Sequence, residues 1–128
     1  LQTEESAPLQ IRELPIKTLD FFPEYCALIH TRVKTRSFRL GDKKAKEFRP
    51  GDRVLLTSFC MPLTSVKITN VRLMKLNDIK KEDLTGTEFK TVQQLFDALK
   101  QIYIYDCRRV AHLAADFLVT IIDWEYET

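Results

Sequence analysis

Residues 66–76, Val-Lys-Ile-Thr-Asn-Val-Arg-Leu-Met-Lys-Leu, constrain this chain more than any other stretch. Apolar and polar side chains alternate along them, the pattern of a long strand with one face on a core and the other in water. Such a strand leaves its backbone groups unsatisfied unless other strands flank it. Residues 53–59 (Arg-Val-Leu-Leu-Thr-Ser-Phe) predict one partner, directly after the turn-forming Pro50-Gly51-Asp52. Residues 117–126 alternate, end in acids and predict a closing strand. Residues 31–40 read as extended with a thin apolar face, and residues 42–52 as a charged connection.

Two segments carry helical spacing instead. Val92, Leu95, Phe96, Leu99 and Ile102 share one face of a helix predicted over 91–103, and Thr91 with Gln94 forms a capping-box pattern at its start. Phe21, Tyr25, Leu28 and Ile29 predict a shorter helix, with Thr18 or Asp20 as its cap and Pro23 in its first turn. Residues 11–16 are a short strand or an extended entry, and residues 106–115 show no dominant period. The order helix, strands, helix, strand defines an α+β domain, read as a small β-barrel flanked by helices. Residues 1–10 are polar and aperiodic and read as a flexible tail, leaving residues 11–128 as a single domain.

Composition narrows the function classes. A chain of 128 residues is too short for a second core, and its 45% hydrophobic content is too high for a disordered protein. No apolar run approaches the ~20 residues of a membrane span. Cys26, Cys60 and Cys107 form no CxxC pair, so reduced, buried or incidental thiols are expected rather than a disulfide framework or zinc site. His30 and His112 are the only imidazoles, and no metal or cofactor is expected. Gly41, Gly51 and Gly86 fit neither a Walker loop nor a dinucleotide-binding fingerprint. No basic segment followed by an apolar stretch opens the chain, and a cytoplasmic location is expected.

The formal net charge of +2 hides a strong asymmetry. Residues 31–53 hold nine basic side chains (Arg32, Lys34, Arg36, Arg39, Lys43, Lys44, Lys46, Arg49, Arg53) against three acids, for +6. The remainder carries −4. The segment reads either as an electrostatic footprint for phosphate or as a solvated face.

The same segment carries a family resemblance. Lys34-Thr35-x-Ser37-x-Arg39-Leu40-Gly41-Asp42, followed by Phe48-Arg49-Pro50-Gly51-Asp52-Arg53-Val54, resembles the ASCH domain family, which has a PUA-like fold. Residues 68–71, 89–96, 102–103 and 119–126 resemble that family's central strand, long helix and closing strand in order. The resemblance implies a small PUA-like barrel with a cleft beside a helix, and a role in binding RNA or a nucleoside. Some members are metal-independent amidohydrolases that remove the acetyl group of N4-acetylcytidine. Their lysine, hydroxyl residue and glutamate fall on Lys34, Ser37 (a threonine in those enzymes) and Glu88. Aligning on a Glu-Gly-Phe pattern places the glutamate on Thr87 instead, and Glu82 is a third candidate.

These residue types suit acyl transfer. A serine hydroxyl needs a neighbour to take its proton, and a lysine serves once desolvation or a nearby cation such as Arg36 or Arg39 lowers its pKa. Glu88 would orient the lysine or pass a proton to the leaving amine. One structural condition follows: a regular strand puts Lys34 and Arg36 on one face and Ser37 and Arg39 on the other, so the pair requires a bend. The binding alternative uses Lys34, Arg36, Arg39 and Lys43 on phosphate with Tyr103 stacking on a base. Ser37 is then a turn residue, and Glu88 sits by a favourable helix dipole. A domain that contacts only protein is a third possibility. Trp124 is expected in the barrel wall, and His30 at a helix end.

Overall fold

The computed structural model describes residues 17–107 and 116–127. Expectations for residues 1–16 and 108–115, including His112, and for the side chains of Tyr103, Tyr105 and Cys107, lie outside the described residues. Among the described residues five strands, β1 (Lys17–Asp20), β2 (Arg36–Leu40), β3 (Arg53–Ser58), β4 (Met61–Lys75) and β5 (Leu118–Tyr126), form one sheet in the order β1-β3-β4-β5-β2. β1 runs parallel to β3 and the other pairs are antiparallel. The sheet curls into a half-barrel, with helices α1 (Cys26–His30), α2 (Lys43–Glu47) and α3 (Val92–Cys107) around it. Among the described residues no helix is long and apolar enough to cross a membrane.

β5 organises the core because both of its faces are covered. Val119 and Ile121 join Phe38, Leu95 and Leu99 under α3, while Ile122 and Trp124 join Leu56, Val66 and Ile68 inside the half-barrel. α3 follows the predicted helical face, and Thr91 Oγ1 accepts the Gln94 N–H at 3.1 Å as its N-cap.

The long alternating strand is present, with one correction. Ile68 pairs with Trp124 and Asn70 with Asp123, so Thr69 is the extra residue of a β-bulge. The bulge inverts the phase of alternation. Val71 therefore returns to the inner face alongside Val66 and Ile68.

β4 also begins five residues earlier than the alternation alone suggests, because it pairs with β3 through a two-residue turn. Phe59 (φ 48°) and Cys60 (φ 69°) both adopt the left-handed conformation of a type I′ hairpin, a turn that favours Asn-Gly. Cys60 is a free, exposed thiol there, so of the two alternatives expected from sequence, buried or incidental, it is not the buried one. Cys60→Gly is expected to stabilise the protein by about 0.5–1 kcal/mol, the relief of left-handed strain less glycine's extra unfolded-state entropy. Urea unfolding monitored by circular dichroism checks this; equal or lower stability would show that the turn is unstrained.

The N-terminal region departs further from expectation. Thr18 and Asp20 lie in β1 rather than capping a helix, and α1 follows only after a 3₁₀ turn at Pro23–Tyr25. The Asp20 carboxylate accepts from Thr57 Oγ1 at 2.6 Å and from the Cys60 N–H at 3.4 Å, tying β1 to the hairpin tip. In the charged connection, Lys43–Glu47 forms α2, with an i,i+4 pair between Asp42 and Lys46 and the buried Phe48 anchoring its end. The helix ends at Glu47, with Phe48 already extended, and Pro50 disfavours any return to helix at Arg49.

Candidate functional site

β1 and β2 are the two edges of the half-barrel, and a cleft of about 460 Å³ opens between them. The chain after β1 (Asp20, Phe21, Phe22, Tyr25) forms one wall, and Lys34, Ser37 and Arg39 form another. The Glu88–Phe89 loop and α3 form a third, and the hairpin tip adds Phe59.

The bend that the sequence requires between Lys34 and Ser37 is built by long-range contacts. The chain leaves α1 through Arg32 in the left-handed region, and the N–H groups of Val33 and Lys34 both donate to the Leu28 carbonyl. Next, the Thr35 and Arg36 N–H groups donate to the Gly86 carbonyl at 2.8 and 3.2 Å. Tyr126 Oη donates to the Lys34 carbonyl. Regular strand geometry begins only at Arg36. Lys34 is thus outside the strand's alternation and lines the same cleft as Ser37.

Gly86 also fixes the other side. Its clasp on Thr35 and Arg36 holds the loop carrying Glu88 against this segment. Thr87 is anchored by its hydroxyl donating to the Leu84 carbonyl at 2.6 Å. Lys34 Nζ donates to Glu88 Oε1 at 2.8 Å, with side chains 4% and 19% exposed. The Lys34 ammonium lies 5.2 Å from the Tyr25 ring centroid and 5.9 Å from that of Phe21. Arg39 packs its guanidinium 4.5 Å from the Phe21 centroid and donates from Nε to Ser37 Oγ at 2.9 Å.

Burial pushes the Lys34 pKa below its ordinary value, and the nearby Arg39 cation adds to the drop, while the Glu88 carboxylate opposes it. Burial, with the Glu88 and Glu24 carboxylates, raises the Tyr25 phenol against the lowering by Arg39, keeping it a protonated hydrogen-bond donor. The cleft therefore brings together a desolvated amine, a hydroxyl polarised by a guanidinium and a carboxylate on the amine. That set can move protons at a buried centre.

Lys34, Ser37, Arg39, Lys43 and Glu88 all line this cleft. Arg36 does not. It faces Asp123 directly across the β2–β5 pair, on the opposite face from Ser37. Its Nε and NH2 groups both bond the Asp123 carboxylate, and NH1 donates to the Asp83 carbonyl at 3.0 Å. Those bonds hold its guanidinium outside the lining of the cleft. Glu82 is exposed outside the cleft, and the Thr87 hydroxyl caps a local turn. The Tyr103 side chain lies outside the described residues.

The basic segment changes character in three dimensions. Lys34, Arg36 and Arg53 pair with Glu88, Asp123 and Glu127 from the acidic remainder, and Lys44 and Lys46 pair with the segment's own Glu47 and Asp42. Sequence reasoning missed the aromatic walls of the cleft. Phe21 and Tyr25 have the same helical spacing as core residues, and Phe59 closes an ordinary-looking strand. Nothing in local pattern marks them as site residues.

No family model matches the chain, and no curated protein matches it significantly. Solved structures do. An ASCH domain from Lactobacillus crispatus JV V101 superposes with a TM-score of 0.67 at 16% identity, over 91% of this chain and 84% of that one. A protein from Enterococcus faecalis V583 superposes with a TM-score of 0.67 at 14% identity, over 98% and 90%. A protein from Pyrococcus furiosus superposes with a TM-score of 0.56 at 16% identity, over 86% and 96%. Likeness at these identities is likeness of fold.

Proposed function

We propose that this chain, whose α+β fold is the PUA-like fold of an ASCH domain, is a metal-independent amidohydrolase acting on a small amide of the acylated-pyrimidine-nucleoside kind. The observation that carries this reading is the convergence of Lys34, Ser37 and Glu88 in one cleft, with Lys34 buried and its pKa lowered. Ser37 Oγ attacks the acyl carbon while neutral Lys34 takes the hydroxyl proton. Collapse breaks the C–N bond, and the exocyclic amine leaves with that proton, delivered by Lys34 or relayed through Glu88. Lys34 then deprotonates a water that attacks the acyl-serine ester; as the ester C–O bond breaks, Lys34 returns that proton to the Ser37 oxygen, and the acid leaves and ionises in solvent. The Arg39 Nε–H stabilises the Ser37 oxygen as its charge develops.

In the resting arrangement the Lys34 ammonium is directed at Glu88, and Ser37 Oγ accepts from Arg39. Catalytic hydrogen bonds commonly tighten only with substrate bound. A nucleoside-scale ligand fits the charge arrangement better than an extended RNA backbone, because at least five of the nine basic side chains of residues 31–53 are in ion pairs among the described residues.

Incubation with N4-acetylcytidine, followed by chromatography, is expected to release cytidine and acetate. Lys34→Ala is expected to lower the rate by about 100-fold or more. Activity should rise with pH as Lys34 loses its proton, with an inflection below the ordinary lysine value of 10.5. Turnover that survives Lys34→Ala, or an absence of hydrolysis by the wild type, overturns the reading.

A further inference from the structure

We infer that Phe59, at the tip of the β3–β4 hairpin, is the stacking surface that selects a planar aromatic group in the cleft. This inference rests on the reading of the cleft as a nucleoside-scale amide site and names its specificity element. Phe59 lines the cleft yet is 64% exposed. A phenylalanine in the left-handed region is uncommon, and here it is followed by a second non-glycine left-handed residue, Cys60. Strain of this sort persists only where surrounding structure over-determines it, and it concentrates at ligand sites.

The surroundings do over-determine it. Asp20 holds the hairpin from both sides of Phe59, through Thr57 Oγ1 and the Cys60 N–H. Asp20 also immediately precedes Phe21 and Phe22, and the Phe21 N–H donates to the Thr57 carbonyl, so the hairpin tip and the adjoining aromatic wall are fastened together.

Other aromatic rings of the cleft are engaged elsewhere, and Phe38 is buried in the core. Phe21 and Tyr25 carry the cations of Lys34 and Arg39, and Phe89 packs against the cluster under α3. Phe59 has no ring or cation contact among the described residues. An acylated pyrimidine is flat and conjugated through its exocyclic amide. Stacked on Phe59, it would present that amide edge-on to the polar floor at Ser37 and Lys34, whereas a flexible aliphatic amide offers no π-face.

The test is calorimetric titration with cytidine, the expected product, against wild type, Phe59→Ala, Phe59→Leu and Phe59→Trp, each first checked for its melting transition. Binding is expected to weaken about tenfold in Phe59→Ala, to remain weak in Phe59→Leu and to be retained in Phe59→Trp. With N4-acetylcytidine as substrate, the loss in Phe59→Ala should fall on KM rather than kcat. Unchanged cytidine affinity in Phe59→Ala, full recovery by Phe59→Leu, or no cytidine binding by the wild type overturns the inference. So does a change in sedimentation without a change in affinity, which would assign the tip to contact between proteins. Phe59-dependent cytidine binding without hydrolysis leaves the stacking role standing and removes only the amidohydrolase reading. Hydrolysis indifferent to Phe59 does the reverse.

Discussion

Glu88→Ala is expected to destabilise the protein by about 3–5 kcal/mol, whereas Lys34→Met leaves it within about 1 kcal/mol of wild type. The asymmetry follows from where the two ends of the pair sit. Lys34 is 4% exposed, so removing Glu88 strands an ammonium that water barely reaches. Glu88 is 19% exposed and can turn its carboxylate to solvent once the lysine is gone. Methionine also fills the space beside Phe21 and Tyr25 without a charge to desolvate.

The Glu88→Ala deficit should shrink at alkaline pH. The folded pKa of Lys34 is depressed below 10.5, and losing Glu88 depresses it further. Between the folded value and 10.5 the unfolded chain holds a proton that the folded chain lacks, so stability rises with pH through that window. Lys34→Met lacks this rise. Both single variants and the double variant should be inactive, while Lys34→Met/Glu88→Ala recovers most of the lost stability. Urea titrations at neutral and alkaline pH, set beside the nucleoside assay, separate the two effects. Equal destabilisation by the two single variants would mean that Lys34 is not held as a buried charge.

The parts of the fold legible in sequence are those with a local repeat. β3, β5 and α3 each show their face to the core over several periods, and Thr91 marks the start of α3 by its side-chain chemistry alone. β1 and α2 are too short to show a period. β1 buries only Leu19 among its four residues, and α2 is five mostly charged residues whose burial rests on the following Phe48. The bulge at Thr69 is visible in retrospect as a slip between Ile68 and Val71, but only the pairing with β5 gives that slip a direction.

The candidate site divides in the same way. Its residue types were legible through their resemblance to the ASCH pattern, yet strand parity alone places Lys34 and Ser37 on opposite faces. The bend that reconciles them depends on Leu28, Gly86 and Tyr126, the last of them 92 residues from Lys34. Charge counted along the chain was equally one-dimensional. Arg36 and Arg39 look equivalent in sequence, but the β2–β5 register turns one to Asp123 and the other to Ser37 and Phe21.

Gly86→Ala is expected to cost about 2–5 kcal/mol, from the left-handed conformation forced on an alanine and from overpacking. Gly86 has φ +82°, and a Cβ there would collide with Thr35 Oγ1. Thr35 cannot retreat easily, because its own N–H is bonded to the Gly86 carbonyl and its carbonyl accepts from Trp124. The side chain is also β-branched and stiff about χ1. The collision therefore pries apart the two segments that hold Lys34 and Glu88 together. Activity should fall further than stability alone explains, measured at a temperature where the variant is still folded. Adding Thr35→Ala removes the colliding hydroxyl but not the backbone strain. The double variant should regain the overpacking part, about 1–3 kcal/mol, and with it a measurable share of activity. If Gly86→Ala matches the wild type in urea midpoint and turnover, the Gly86 clasp does not set the Lys34–Glu88 geometry.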